Sequence, residues 1–171
     1  DGTVASDPLN ESFISSEAGV NFSSDNFAVK VSAYNTDWKD RNLTKAVTTG
    51  QGSSGDTDVI FLKGIGQKHQ GLEVEGSMKL NDMIRLDGAV SFGKWKFDGD
   101  ADGLYTEYDE ESPKQTSYTY TLDGLFVGDQ PQTAYVLGTT LTPISGLRLQ
   151  GIFKMYDKNY ADWSPGSREL S

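Results

Sequence analysis

The sequence predicts an all-β fold, an antiparallel up-and-down meander of the kind that builds an outer-membrane β-barrel. Three observations lead there. Apolar residues recur with period two in several runs of about ten residues, the length that crosses a bilayer as a tilted strand. Those runs are joined alternately by tight turns and by long polar excursions, the rhythm of short turns at one barrel end and long loops at the other. No convincing 3.6-residue periodicity with caps marks a helix.

The first 15 residues are polar and weakly patterned and read as linker or loop; strands and loops follow over 16–171. Ala18, Val20 and Phe22 share one face, Ser23-Ser24-Asp25 turns, and Phe27, Val29, Val31 and Ala33 return opposite Lys30, Ser32 and Tyr34. A long loop is expected over about 39–67, rich in Thr, Ser, Gly and charge, with a short strand piece at Val59–Leu62. Leu72, Val74, Gly76, Met78 and Leu80 then alternate with Gly71, Glu73, Glu75, Ser77 and Lys79. After Asn81-Asp82, the residues Ile84, Leu86, Gly88, Val90 and Phe92 face away from Arg85, Asp87 and Ser91. A second long loop is expected over about 97–131, with a possible strand at 118–127. Tyr135, Leu137, Thr139 and Leu141 lead through Pro143-Ile144-Ser145-Gly146 into Leu147, Leu149, Gly151, Phe153 and Met155, with Arg148, Gln150 and Lys154 on the other face. Tyr34, Trp38, Trp95, Phe97 and Tyr156 lie near strand ends, where an interfacial aromatic girdle would sit.

Composition bounds the function. Hydrophobic residues make up 36% of the chain and the mean hydropathy is -0.50, too low for spanning helices but compatible with strands that are apolar on one face only. The net charge of -10 argues against nucleic acid and against an anionic membrane surface as partners. Without Cys there is no disulfide framework, thiolate site or Cys nucleophile, and the lone His69 cannot build a zinc site of the usual kind. No phosphate loop or nucleophile elbow is present. Glu73 and Glu75 share a strand face with Lys79, Arg85 and Asp87, which reads as a hydrated wall and not as acid–base machinery. The chain is therefore not expected to be an enzyme.

Two candidate sites remain. Asp98-Gly99-Asp100-Ala101-Asp102-Gly103 fits the start of a calcium loop, with Asp98, Asp100, Asp102, the Leu104 carbonyl, Thr106 and Asp109 as ligands in order. Ca²⁺ is the one possible cofactor. Tyr105, Tyr108, Tyr118 and Tyr120 surround this acidic stretch and could stack on sugars or capture apolar ligands, or pack the loop onto itself.

Several stretches resemble the carboxyl-terminal part of the barrel of TonB-dependent outer-membrane receptors. Phe27–Arg41, FAVKVSAYNTDWKDR, is similar to a strand ending in an aromatic-Lys-Asp-Arg corner. Lys68–Glu75, KHQGLEVE, is similar to the following strand, and Val127–Gln132, VGDQPQ, with Tyr160-Ala161-Asp162, to the last third of such barrels. The resemblance covers most of Ser16–Ser164. It implies energised import of a siderophore, cobalamin or oligosaccharide in the outer membrane of a Gram-negative bacterium. The partners it implies are outer-membrane lipid, the remainder of the barrel and its plug, and the TonB energy-coupling protein. No plug, coupling box or terminal aromatic strand is visible, so a portion of a receptor is expected. Roughly six to eight strands are too few to close a barrel of the about 22 that large transporters use. The alternatives are a complete small outer-membrane barrel with a structural or adhesive role, and a soluble ligand-binding barrel. Pairing of the end strands separates the first; burial of Leu72, Val74, Ile84, Leu86, Leu147 and Phe153 in a packed interior separates the second.

Overall fold

In the computed structural model, residues 10–47, 58–107 and 114–160 are described. They form β1 (Ser12–Ser23), β2 (Phe27–Val47), β3 (Asp58–Lys79), β4 (Ile84–Phe97), β5 (Ala101–Glu107), β6 (Lys114–Tyr120), β7 (Pro131–Ile144) and β8 (Leu147–Asn159). No helix occurs among the described residues. One sheet runs in the order β1-β2-β3-β4-β7-β8, while β5 pairs with β3 and β6. The main path is thus a sequential meander, and β5–β6 is a hairpin inserted in the connection from β4 to β7.

The tight turns are chemically specified. Ser24 N donates to Phe27 O at 2.7 Å between β1 and β2. Between β3 and β4, Asn81 Oδ1 accepts from Met83 N and Ile84 N, both at 2.9 Å, the local side-chain turn that makes Asn common in such positions. Lys79 closes the same turn on Asp82 at 2.9 Å, and this holds the Asp82 carboxyl below its usual range. Between β7 and β8, Gly146 takes φ 83, a conformation that a side chain would strain.

Strands run further than their apolar pattern. β1 starts at Ser12, ahead of the expected Ser16; β2 continues to Val47 and β3 begins at Asp58, both inside the segment expected to be loop. β5 and β6 likewise occupy part of the second expected loop. The reason is that antiparallel pairing satisfies backbone groups whatever the side chains are: Val59–Lys63 of β3 pair with Asp102–Thr106 of β5, and β5 pairs with β6 along its whole length. Side-chain pattern marks only parts of these strands, Val59–Leu62 in β3 and 118–120 in β6. Residues 48–57, from which much of the expected first loop was read, lie outside the described residues.

The chain divides into two compact units. The first takes in residues 1–14, 37–68 and 96–125 and has an apolar centre: Leu62 and Leu122 are fully buried, with Ile65, Phe97 and Ala101 nearly so. The second takes in 15–36, 69–95 and 126–171, and its burial is inverted. The residues closed off there are Ser32, Thr36, Gln132, Thr133, Thr140 and the ring of Tyr160, while Leu72, Leu137, Leu147, Leu149 and Phe153 are exposed. None of the six apolar residues that would line a soluble interior is buried.

The β4–β7 register explains this inversion. Ile84, Leu86, Gly88, Val90 and Phe92 stand opposite Leu141, Thr139, Leu137, Tyr135 and Thr133, and the intervening Arg85, Asp87 and Ser91 stand opposite Thr140, Gly138 and Ala134. Directly opposed residues share a face, so the apolar set of each strand falls on one side and the charged set on the other. The β7–β8 register extends both faces: Leu137 pairs with Phe153 and Leu141 with Leu149.

Candidate functional site: the polar face

The polar face of the second unit carries charge on nearly every strand. Lys30 Nζ lies 3.9 Å from Glu17 Oε1, and Arg85 donates from Nε and Nη2 to the same Asp87 Oδ1 at 2.9 and 2.6 Å. Lys30, Glu75, Arg85, Asp87 and Arg148 line a cleft of about 540 Å³, together with small residues including Ala28, Ser77, Ala89 and Gly138. All the charged members are part or fully exposed, so this is a hydrated wall with both signs of charge. Among the described residues no nucleophile–base pair is built on it.

An aromatic cluster lies on the same face. Trp95 Nε1 donates to Tyr34 Oη at 2.8 Å, and the His69 ring stacks on Trp95 with centroids 5.1 Å apart and planes 16° from parallel. The Tyr34 ring covers Gly71, where a Cβ would overlap it; glycine within a strand marks such a close approach. Beside the cluster, the buried Gln132 clamps the end of β4: its Oε1 accepts from Trp95 N at 2.9 Å, and its Nε2 donates to Trp95 O at 3.0 Å and Val127 O at 3.3 Å.

These contacts correct the girdle expectation. Tyr34 and Trp95 face the polar side and hold each other. Trp38 donates to Glu11 Oε2 at 3.0 Å, meets Phe13 edge-on at 5.7 Å and carries the Arg41 guanidinium 3.8 Å above its ring. Phe97 is buried, and Tyr156 pairs with Ala134 on the polar face. The aromatics of the apolar face include instead Phe22 with Phe27 and Phe92 with Tyr135, ring pairs at 6.4 and 6.1 Å, and Phe153. Strand-end position alone does not distinguish the two faces; parity along the strand does.

The expected calcium ligands are not gathered on one point. Asp98 lies 3.8 Å from Lys68 Nζ. Asp100 Oδ1 accepts from Leu122 N at 3.0 Å and Asp123 N at 3.2 Å, and Asp123 Oδ1 accepts in turn from Gly99 N at 3.0 Å. Asp102, Leu104 and Thr106 lie within β5, opposite Thr119, Ser117 and Gln115. Gly103 is a strand residue covered by the Tyr120 ring, and not the sharp turn that a calcium loop needs at that position. Asp109 lies outside the described residues. Among the described residues no three acidic or histidine side chains form a metal-sized group.

Of the four tyrosines, Tyr105, Tyr118 and Tyr120 share one face of the β5–β6 hairpin, with edge-on ring contacts of 6.4 Å from Tyr105 to Tyr118 and from Tyr118 to Tyr120. Tyr118 is about half exposed, and burial raises the Tyr120 hydroxyl above its usual value, with Tyr118 adding to it. Tyr108 lies outside the described residues.

Comparison with protein families completes the picture. The family described as TonB dependent receptor-like, beta-barrel, matches residues 10–168. The chain belongs to that family. Curated proteins and solved structures yield no match. The family is one of outer-membrane transport receptors of Gram-negative bacteria and not a family of enzymes. The Tyr34–Trp95–His69 cluster and the Gln132 clamp were not singled out by sequence reasoning. Gly71 within an alternating strand was the one available signal for the first; nothing in the sequence signals the second.

Proposed function

We propose that this chain is a stretch of wall in a TonB-dependent receptor barrel, which imports a siderophore, cobalamin or oligosaccharide with energy delivered through TonB and gated by a plug. The observation that carries the reading is the inverted burial of the second unit, where Ser32, Thr36, Gln132 and Thr140 are closed off and leucines and phenylalanines are exposed on the face opposite the charges. In water an apolar face of this extent would drive association; in a bilayer it is the face that lipid covers. The run from Ile84 to Phe92 matches the roughly 9–11 residues of a tilted membrane strand.

Strand order supports a portion of a larger barrel over a small closed one. Among the described residues β1 has β2 as its one neighbour and β8 has β7. A strand edge facing lipid leaves backbone donors and acceptors unpaired at several kcal/mol each, so both edges call for further strands of the receptor.

The test is growth. Cells deleted for the parent gene are supplied with a ferric siderophore, cobalamin or an oligosaccharide as the limiting nutrient. Growth is expected to fail on one of them, to return with the intact gene, and to stay absent when TonB is removed. Unimpaired growth on all three sinks the transport reading.

A further inference from the structure

We propose that the free edge of β8 pairs with an antiparallel strand of the same receptor polypeptide that carries carboxylates on its polar face, beside Arg148 and Lys154. The proposal rests on the barrel reading above and adds the chemistry of the neighbouring strand.

All thirteen residues of β8 are exposed. Its polar face presents Arg148, Gln150, Ile152 and Lys154. On the inboard side the register offers no counter-charge: Gln150 stands against Thr140, Ile152 against Gly138 and Lys154 against Val136. One strand further in, the same rows hold Arg85, Asp87 and Ala89. Asp87 is the acid there, and Arg85 already engages it with two hydrogen bonds. Arg148 lines the same cleft as Arg85, so its inboard surroundings include a second cation.

Neither Arg148 nor Lys154 has an ion-pair or hydrogen-bond partner among the described residues. Other cations of this unit do: Lys30 meets Glu17, Lys79 meets Asp82 and Arg85 meets Asp87. Glu73 and Glu75 of β3 also lack such a partner among the described residues, but the unmatched cations of the polar face sit on the strand whose outer edge is open. A strand hydrogen-bonded to that edge brings its directly opposed Cβ atoms to about 4.5–5.5 Å, within ion-pair reach of both cations. The edge strand β1 of a second copy is a poor occupant, because its one acid, Glu17, already faces Lys30, and Glu11 just ahead of the strand accepts from Trp38.

The test uses the full-length receptor in the outer membrane. A photo-crosslinking amino acid, p-benzoylphenylalanine, replaces Gln150 or Ile152, and the crosslinked peptide is mapped by mass spectrometry. Folding is followed in parallel by the heat-dependent gel shift of the barrel. The expected crosslink is intramolecular, to a strand with Asp or Glu on its polar face within two residues of the attachment point. Lys154→Glu is expected to lower the temperature of the gel shift, and changing the mapped acid to Lys is expected to restore it. A crosslink to a neutral or basic strand, to a second polypeptide or to a non-strand segment overturns the proposal and leaves the barrel reading standing. So does a folded receptor that gives no crosslink. A receptor with no heat-dependent folded form refutes the barrel reading itself.

Discussion

A face-swap at the middle of β7 tests the inside-out arrangement directly. Leu137 sits on the apolar face opposite Gly88 and Phe153, and Val136 sits on the polar face opposite Ala89 and Lys154. Leu137 is 56% exposed in the protein alone, and it lies at the centre of the paired run from Thr133 to Leu141. If lipid covers that face, Leu137→Arg puts a guanidinium near the bilayer midplane, at a cost of about 2–4 kcal/mol. At about 1.4 kcal/mol per tenfold change, the folding equilibrium shifts by a factor of roughly 30 to 700. Val136→Arg projects over the hydrated cleft of about 540 Å³, where the guanidinium keeps its water; Lys154 and Arg85 nearby add weak repulsion, and a change under about 1 kcal/mol is expected. The assay is urea unfolding of the full-length receptor in lipid vesicles, read by tryptophan emission and by the heat-dependent gel shift. Equal costs for the two variants, or a larger cost for Val136→Arg, would refute the assignment of faces.

Three further outcomes follow from particular contacts. Gln132→Ala removes three hydrogen bonds and leaves Trp95 N without its side-chain acceptor in a buried site; a loss of about 1–3 kcal/mol is expected in the same unfolding assay, and an unchanged midpoint contradicts the clamp. Asp100→Ala removes the acceptor of Leu122 N and Asp123 N, and about 1 kcal/mol is expected to be lost equally with calcium and with chelator; isothermal titration of calcium into wild type and variant should give indistinguishable heats. Tyr120, on the hairpin outside the six-strand run, has its hydroxyl raised above the ordinary value of 10.0 by burial first and Tyr118 second. A raised folded value means stability is intact below pH 10 and falls as pH rises from there through the folded value, so Tyr120→Phe should flatten the pH dependence of hairpin protection in hydrogen exchange above pH 10.

The strands over the apolar alternation were legible because successive side chains of a strand point to opposite faces, so one apolar and one polar face give a period of two. Ile84–Phe92 and Leu147–Met155 are of this kind. The strands of the first unit were harder to see, because Thr44, Gly64, Gly66 and Thr106 break any alternation of apolar and polar residues along them. The motif at Asp98–Gly103 shows the opposite problem. Its residue types suit a metal, yet Asp100 serves backbone donors of the 122–123 turn and Gly103 makes room for a tyrosine ring. Spacing along a chain cannot tell whether a run of acids will curl around an ion or extend as a strand. The aromatic cluster was hidden for a similar reason: Tyr34, His69 and Trp95 are far apart in sequence and meet through the order of β2, β3 and β4.

The Asn81 turn gives the meander a property akin to a reading frame. Its side chain grips Met83 N and Ile84 N together and so fixes which residue of β4 comes first. A one-residue insertion there would slide β4 by one position and send Arg85 and Asp87 to the lipid side while Leu86 and Val90 turned inward. A two-residue insertion would keep the phase. Natural length variation in this turn should therefore be tolerated in pairs, and a gene that gained a single codon at this point would encode the same composition turned inside out.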